Sequence, residues 1–348
     1  MGSMPKKKTI YSVGSLFAGI GGICIGFKKA GCEISWANEI DAAACRTYTH
    51  NIKLIGENTA LLESDIKNFS PPGEVDVITA GFPCQPYSMA GGMKGLLDKK
   101  GRGRPMFAQI LRIAMECKPR VIFLENVSSL ATINGGKTYM FMKNTLKHIG
   151  YKNIYEFKLN SKDFGGVAQY RNRLYIVAIK DPEDARSFEK IKKEIKPVPI
   201  KNTVSSIVKI KEKKASKYYY SEKNAKHYRR DYKTNVVSYG VVYQYRRTYM
   251  RENKNALCPA LTASMGCGGH NVPIVLDEHG IRKITPEECL MFQGFPRKYR
   301  FTESGDYAKY KQIGNSVTVP VVEMIAKAIV KSLKDSDKKH PQNVPTEP

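Results

Sequence analysis

A cysteine set between two prolines, in "GFPCQPYS" (81–88), follows an apolar run, "VDVITAG" (75–81), with the character of a buried strand. A thiol of ordinary pKa, near ~8.5, is only a few per cent thiolate at neutral pH, yet it is intrinsically a strong nucleophile. Prolines on both sides stiffen the backbone, which suits a nucleophile that must meet its target at one angle. The competing reading is a small core residue, the commoner fate of a cysteine. Glu125 follows a second apolar run, "PRVIFLEN" (119–126). In a pocket its carboxyl can be held protonated and serve as an acid. "QYRNR" (169–173) spaces Gln169, Arg171 and Arg173 two apart at the entrance to a strand, so that all three should face one way. Two guanidiniums aimed at one site can hold a phosphate and polarise a carbonyl.

A second constellation lies nearer the N-terminus. "SLFAGIGG" (15–22) reads as a strand, a Gly-rich loop and the start of a helix. Gly19, Gly21 and Gly22 let a ligand approach the backbone, and a helix N-terminus presents free N–H groups. Glu39 stands twenty residues after Gly19, at the end of the next strand, where a carboxylate can accept both hydroxyl protons of a ribose. The pattern points to an adenosine-containing cofactor without choosing nicotinamide from S-adenosylmethionine. In "ESDIKNF" (63–69), Asp65 could accept a hydrogen bond from an adenine amino group.

The elements that must carry these residues alternate along the first half. Strand-like segments at 9–17, 32–38, 75–81, 119–126 and 173–179 are separated by helix-like ones at 21–31, 41–51 and 106–117. Such alternation implies βαβ units and an α/β domain with a mostly parallel sheet. The ligands of such sheets gather outside the carboxyl ends of the strands, where Cys84 and Glu125 should both sit. The pattern breaks near Asp181-Pro182 and returns as an amphipathic helix at 319–334. A catalytic and cofactor-binding domain is therefore expected at 1–184, completed by 303–334. A smaller, mostly irregular or β domain with a hinge should occupy 185–302, and a loose tail 335–348.

Composition bounds the partners. The chain has 57 basic and 32 acidic residues, a net charge of +25, which favours a polyanionic partner. Residues 181–256 hold 20 Lys/Arg against 9 Asp/Glu and are crowded with tyrosine, as in "KYYY" (217–220). Basic residues mixed with aromatics suit phosphate contact and base stacking, although alternating tyrosines also make an ordinary strand face. The eight cysteines show no C-x-x-C pair, which fits a reducing cytosol and gives no zinc spacing. No apolar run reaches 18 residues, so a membrane span is not expected.

Six blocks occur in one order: "FAGIGG", "GFPCQPYS", "ENV", "QYRNR", "PEECLMFQGFP" (286–296) and "QIGNSV" (312–317). In this the chain resembles the cytosine-C5 DNA methyltransferase family, from its first strand to about residue 333. The resemblance implies a Rossmann-like S-adenosylmethionine-dependent catalytic domain and a target-recognition domain between the fourth and fifth blocks. It implies Cys84 as nucleophile beside Pro83, Glu125 at N3 and the exocyclic amine of cytosine, Arg173 at O2 and Arg171 at the neighbouring DNA backbone. It places Phe17, Ala18, Gly19, Gly21, Gly22, Glu39, Ile40, Asp65, Ile66, Asn315 and Ser316 around S-adenosylmethionine. Gln85, Ser88, Gln169 and Thr262, the last in "LTAS" (261–264), would face the substrate. The implied partner is double-stranded DNA, met by a monomer in the cytoplasm with no metal. The rival nearest in chemistry is a tRNA-directed cytosine-C5 methyltransferase. A nicotinamide oxidoreductase leaves the Cys, Glu and Arg blocks unexplained, and none of the six histidines sits in a recognisable hydrolase partner motif.

Overall fold

The computed structural model describes residues 10–83, 106–221, 232–246, 249–267, 273–303 and 305–339. The first strands are β1 (Ser12–Leu16), β2 (Glu33–Glu39), β3 (Ala60–Glu63), β4 (Val77–Gly81) and β5 (Val121–Val127). They are followed by β6 (Asn153–Asn160), the two-residue β7 (Gln169–Tyr170) and β8 (Asn172–Ile179). All but β7 form one sheet in the order β3-β2-β1-β4-β5-β8-β6. Pairing is parallel from β3 through β5, whereas β8 runs antiparallel to both of its neighbours, β5 and β6. The short β3 and the half-exposed β6 lack the apolar run by which the other strands are read.

Side chains alternate across the sheet with the period of a strand. Phe123, Tyr175, Val177 and Ile179 pack on one face with the helices Gly22–Lys29, Pro182–Ile191 and Val319–Lys339. Ile122, Leu124, Leu174 and Ile176 pack on the other with the helices Met106–Cys117 and Lys137–His148. Both faces are covered, which is why the central strands are apolar along most of their length. Asp41 caps the helix Ala42–His50, its carboxylate accepting from the N–H groups of Ala43 and Ala44 at 3.0 and 3.2 Å.

A second, four-stranded antiparallel sheet holds β9 (Tyr243–Arg246), β10 (Tyr249–Glu252), β12 (Pro273–Asp277) and β13 (Gly280–Lys283) in the order β10-β9-β12-β13. The intervening β11 (Cys258–Pro259) pairs with β7. Tyr243 and Tyr245 form the core of this sheet with Val236, Met250 and Ile274, and Tyr218 is buried as well. These tyrosines are strand faces and packing groups, not a stacking platform, while Tyr239 and Tyr249 remain exposed. Arg282 is fully buried, donating to Asp277 and, through two nitrogens at 2.8 Å each, to Glu288 of the helix Pro286–Phe292. A buried charge of this kind persists only when paired, and the pairing fixes how the small sheet meets that helix.

Two boundaries differ from the reading of the sequence. Asp181-Pro182 does not end the α/β pattern but starts another helix. The Asp181 carboxylate caps it, Pro182 fills the first turn, and Phe188 and Ile191 enter the main core. The tail begins later than residue 335: the helix Val319–Lys339 continues, and Asp337 accepts from Tyr11 Oη at 2.6 Å and Arg120 at 2.8 Å. By length and composition this last helical stretch could cross a membrane, but most of it is buried inside the protein.

Candidate active site

The carboxyl end of β5 brings the first residues together. Glu125 sits level with Gly81 of β4 on one side and Tyr175 of β8 on the other, and it is buried. Because β8 is antiparallel, its first residues, not its last, lie at this rim, so Arg173 pairs with Val127. Arg173 Nε stands 3.0 Å from Glu125 Oε1, an ion pair without hydrogen-bond alignment. Burial raises the Glu125 pKa, against the lowering pull of Arg173 and Arg171. A carboxyl poised this way holds a proton more readily than an exposed one and keeps an oxygen free for a ligand. Pro83 is exposed just beyond β4; Cys84, Gln85 and Ser88 lie outside the described residues.

Gln169 and Arg171 do not join Arg173 at this rim. Gln169 is buried, donating to the Phe292 carbonyl at 2.8 Å and accepting from the Leu261 N–H at 3.3 Å. Arg171, also buried, donates to the carbonyls of Leu261 at 2.6 Å, Gly314 at 3.2 Å and Ser316 at 2.5 Å. Burial first, then the nearby Arg173, pulls its pKa down to about 9, which still leaves it charged at neutral pH. The shared spacing was correct, but backbone carbonyls from 261–316 reach these two side chains first. Arg171 binds the 261–264 stretch to the 313–318 loop, and Gln169 ties Leu261 to Phe292. Thr262 is half-buried on the wall of a cleft of about 630 Å³ that it shares with Lys162, Tyr170 and Arg251.

Gly314 makes that junction possible. A Cβ there would lie 2.1 Å from the Thr262 carbonyl carbon and from Ala263 N, both backbone atoms that no rotamer change can move. Gly314→Ala is expected to cost more than about 2 kcal/mol of stability, read as a lowered midpoint in urea unfolding. An unchanged midpoint would show that the two segments are free to separate.

The Gly-rich loop forms a cradle at the carboxyl end of β1. Phe17 has φ 53° and Gly19 φ 54°, and a Cβ on Gly19 would meet nothing within 4 Å. The Glu39 carboxylate holds the loop, accepting from Gly19 N at 2.7 Å through one oxygen and from Ile40 N and Asp41 N at 2.8 and 2.9 Å through the other. Ala18 N donates to the Asn38 carbonyl at 3.0 Å. No side chain caps the helix that starts at Gly22. Ser316 Oγ would lie 2.6 Å from a Cβ on Gly22, so the 313–318 loop closes on the helix start, with Ser316 buried and Asn315 exposed. Ile40 is exposed beside Glu39, Ile66 is buried and Asp65 half-buried; Arg112 holds that turn by donating to the carbonyls of Ile66 and Phe69 at 2.9 and 2.8 Å.

With this geometry in view, residues 11–331 match the family model for C-5 cytosine-specific DNA methylases. The chain belongs to that family. It is 41% identical to the Type II methyltransferase M.Bsp6I of Bacillus sp. (strain RFL6), over 92% of this chain and 99% of the relative. It is 33% identical to the Type II methyltransferase M.HaeII of Haemophilus aegyptius, over 97% and 96%. The Dnmt2 methyltransferase of S. pombe shares the fold, with a TM-score of 0.68 at 18% identity, covering 93% of this chain and 99% of that one. As a member of the family the chain methylates carbon 5 of cytosine in DNA, with S-adenosylmethionine as methyl donor.

The cradle fits that cofactor. The Glu39 oxygen that accepts from Gly19 N alone keeps a lone pair for a ribose hydroxyl, the open side of Gly19 admits the ligand, and an uncapped helix start suits the carboxylate of its methionine. Two residues inside the quoted blocks, Asn126 and Gln293, have no role in the sequence reading. Asn126 donates to the Phe82 carbonyl at 3.0 Å, and Gln293 donates to the Ile313 carbonyl at 3.2 Å while accepting from Thr318 at 3.0 Å. Both are buried amides, Asn126 near the end of β5 and Gln293 at the C-terminus of the helix Pro286–Phe292, and only their partners, distant in sequence, show what they do.

Proposed function

We propose that this methyltransferase modifies a cytosine swung out of one specific duplex sequence, through a transient bond between Cys84 and C6 of the base. Carbon 5 of cytosine is too weak a nucleophile to take a methyl group unaided. Thiolate attack at C6 converts the ring to an enamine with electron density on C5. Glu125, whose buried carboxyl holds a proton more readily than an exposed one, lends a proton to N3, and Arg173 stabilises the charge developing at O2. Bound S-adenosylmethionine supplies the methyl group that the activated carbon accepts. Phe17, Ala18, Gly19, Gly21, Gly22, Glu39, Ile40, Asp65, Ile66, Asn315 and Ser316 would hold it. Loss of the C5 proton to water then expels Cys84. C6 is unreachable in a stacked duplex, so the base must flip, at a cost of a few kcal/mol.

The observation carrying this reading is the buried Glu125 carboxyl facing Arg173, one strand away from the end of β4 that leads into Pro83 and Cys84. Gln85, Ser88 and Thr262 are read as substrate-side residues, and the small sheet with its flanking segments as the target-recognition domain. The relatives' designation as Type II enzymes supports a place beside a restriction endonuclease. A monomer acting in the cytoplasm is part of the same proposal. Tritiated methyl transfer to duplex DNA and to tRNA tests the substrate. We expect label in DNA alone, with bisulfite sequencing showing one methylated motif; label in tRNA alone would replace this reading with the RNA-directed one.

A further inference from the structure

The ladder between β4 and β5 ends at the pair Gly81 and Glu125. Beyond that rung the two strands lose their backbone pairing at the point where one carries Glu125 and the other leads into Pro83 and Cys84. One side chain continues the ladder. Asn126, buried, donates from its amide nitrogen to the carbonyl of Phe82 at 3.0 Å, and its amide oxygen accepts from Val127 N at 2.8 Å. Its two amide ends are thus each held, one by the backbone ahead of Pro83 and the other by its own strand. Phe82 is itself anchored, buried and 6.2 Å from the Phe107 ring, so the carbonyl that Asn126 grips belongs to a fixed residue.

We infer that Asn126 is a positioning residue, a side-chain rung that sets the separation between the carboxyl of Glu125 and the start of the Pro83-Cys84 segment. The inference rests on the reading of Cys84 and Glu125 as the working pair. Its physical basis is that covalent attack and charge stabilisation at one ring require both groups at fixed distances, and a misplacement of about 1 Å can cost on the order of 10²-fold in rate. A donor is needed, since the group it meets is a carbonyl oxygen.

Asn126→Asp keeps the shape but turns an acceptor toward the Phe82 carbonyl; Asn126→Ala removes the rung altogether. In both, kcat and the rate of denaturation-resistant adduct formation with a 5-fluorocytosine duplex should fall about 30- to 100-fold. The KM for S-adenosylmethionine should stay within about threefold, because the hydrogen bonds that hold the cofactor cradle do not include Asn126. A kcat within about threefold of the unaltered enzyme in either variant would overturn the inference. So would a parallel loss of kcat and cofactor binding, which marks a general loss of structure. Cys84→Ala, run alongside, separates the two levels. If that variant still transfers methyl groups the underlying reading fails, whereas an inactive Cys84→Ala beside a fully active Asn126→Asp overturns only the role of Asn126.

Discussion

Cys84→Ala is expected to lower methyl transfer at least about 10³-fold while leaving S-adenosylmethionine affinity within a fewfold of the unaltered enzyme. Without a nucleophile at C6, carbon 5 keeps its aromatic character and no arrangement of hydrogen bonds makes it reactive enough. Six cysteines whose side chains are described cannot stand in. Cys24, Cys32, Cys45, Cys117, Cys258 and Cys289 are all buried. Burial pushes the thiols of Cys32 and Cys45 up to about 12 and that of Cys117 to about 11, and raises the other three as well. The cofactor cradle of Glu39, Gly19 and Ser316 involves none of the residues around Cys84, so equilibrium binding of the cofactor should survive. Scintillation counting of transferred methyl, paired with calorimetric titration of S-adenosylmethionine, checks both halves. Transfer persisting above a trace would remove the covalent mechanism.

Glu125→Gln should cost about 10²- to 10⁴-fold in kcat, because an amide retains the shape but has no proton to lend as negative charge builds on the ring. The same substitution makes a prediction about stability with an opposite sign to its effect on activity. Burial raises the carboxyl pKa in the folded state, so the native protein holds this proton to higher pH than the unfolded chain does. Over that interval the unfolded state binds fewer protons, and stability falls as pH rises from the ordinary carboxylate range through the raised value. Arg173 and Arg171 oppose this loss without reversing its direction. Glu125→Gln removes the titration, so its unfolding midpoint should decline less between pH 4 and pH 8 than that of the unaltered enzyme. Equal pH dependence in the two proteins would mean that Glu125 is already ionised as freely in the fold as in water.

The reading of residues 15–22 and 39 needed no tertiary information beyond their spacing. A strand, a positive-φ loop and a helix start are local, and a carboxylate at the end of the next parallel strand is adjacent by topology. The rim position of Glu125, and of the end of β4 that leads into Pro83, was legible for the same reason, since both end apolar runs of buried parallel strands. The arginines were not. Their spacing of two correctly put Gln169, Arg171 and Arg173 in one extended segment, but what Arg171 meets depends on carbonyls 90 to 145 residues away. Arg173 reaches Glu125 only because β8 enters the sheet antiparallel; a parallel strand would have carried it to the opposite edge. Tyr243 and Tyr245 carried the reverse lesson, as burial placed them in the core of a small sheet.

By itself the order of residues determined the Gly-rich cradle, the strand end that carries Glu125 and the one that leads into Pro83, and the basic character of residues 181–256. These follow from local conformation and from charge, both of which act over a few residues or over the whole surface. The tertiary structure alone decided that Arg171 and Gln169 are internal ties, that Arg173 faces Glu125, that Gly314 seats the 261–264 stretch, and that Asn126 grips Phe82. Each of those depends on a hydrogen bond or a steric limit between segments distant in sequence, and only a folded chain brings such partners within 3 Å of one another.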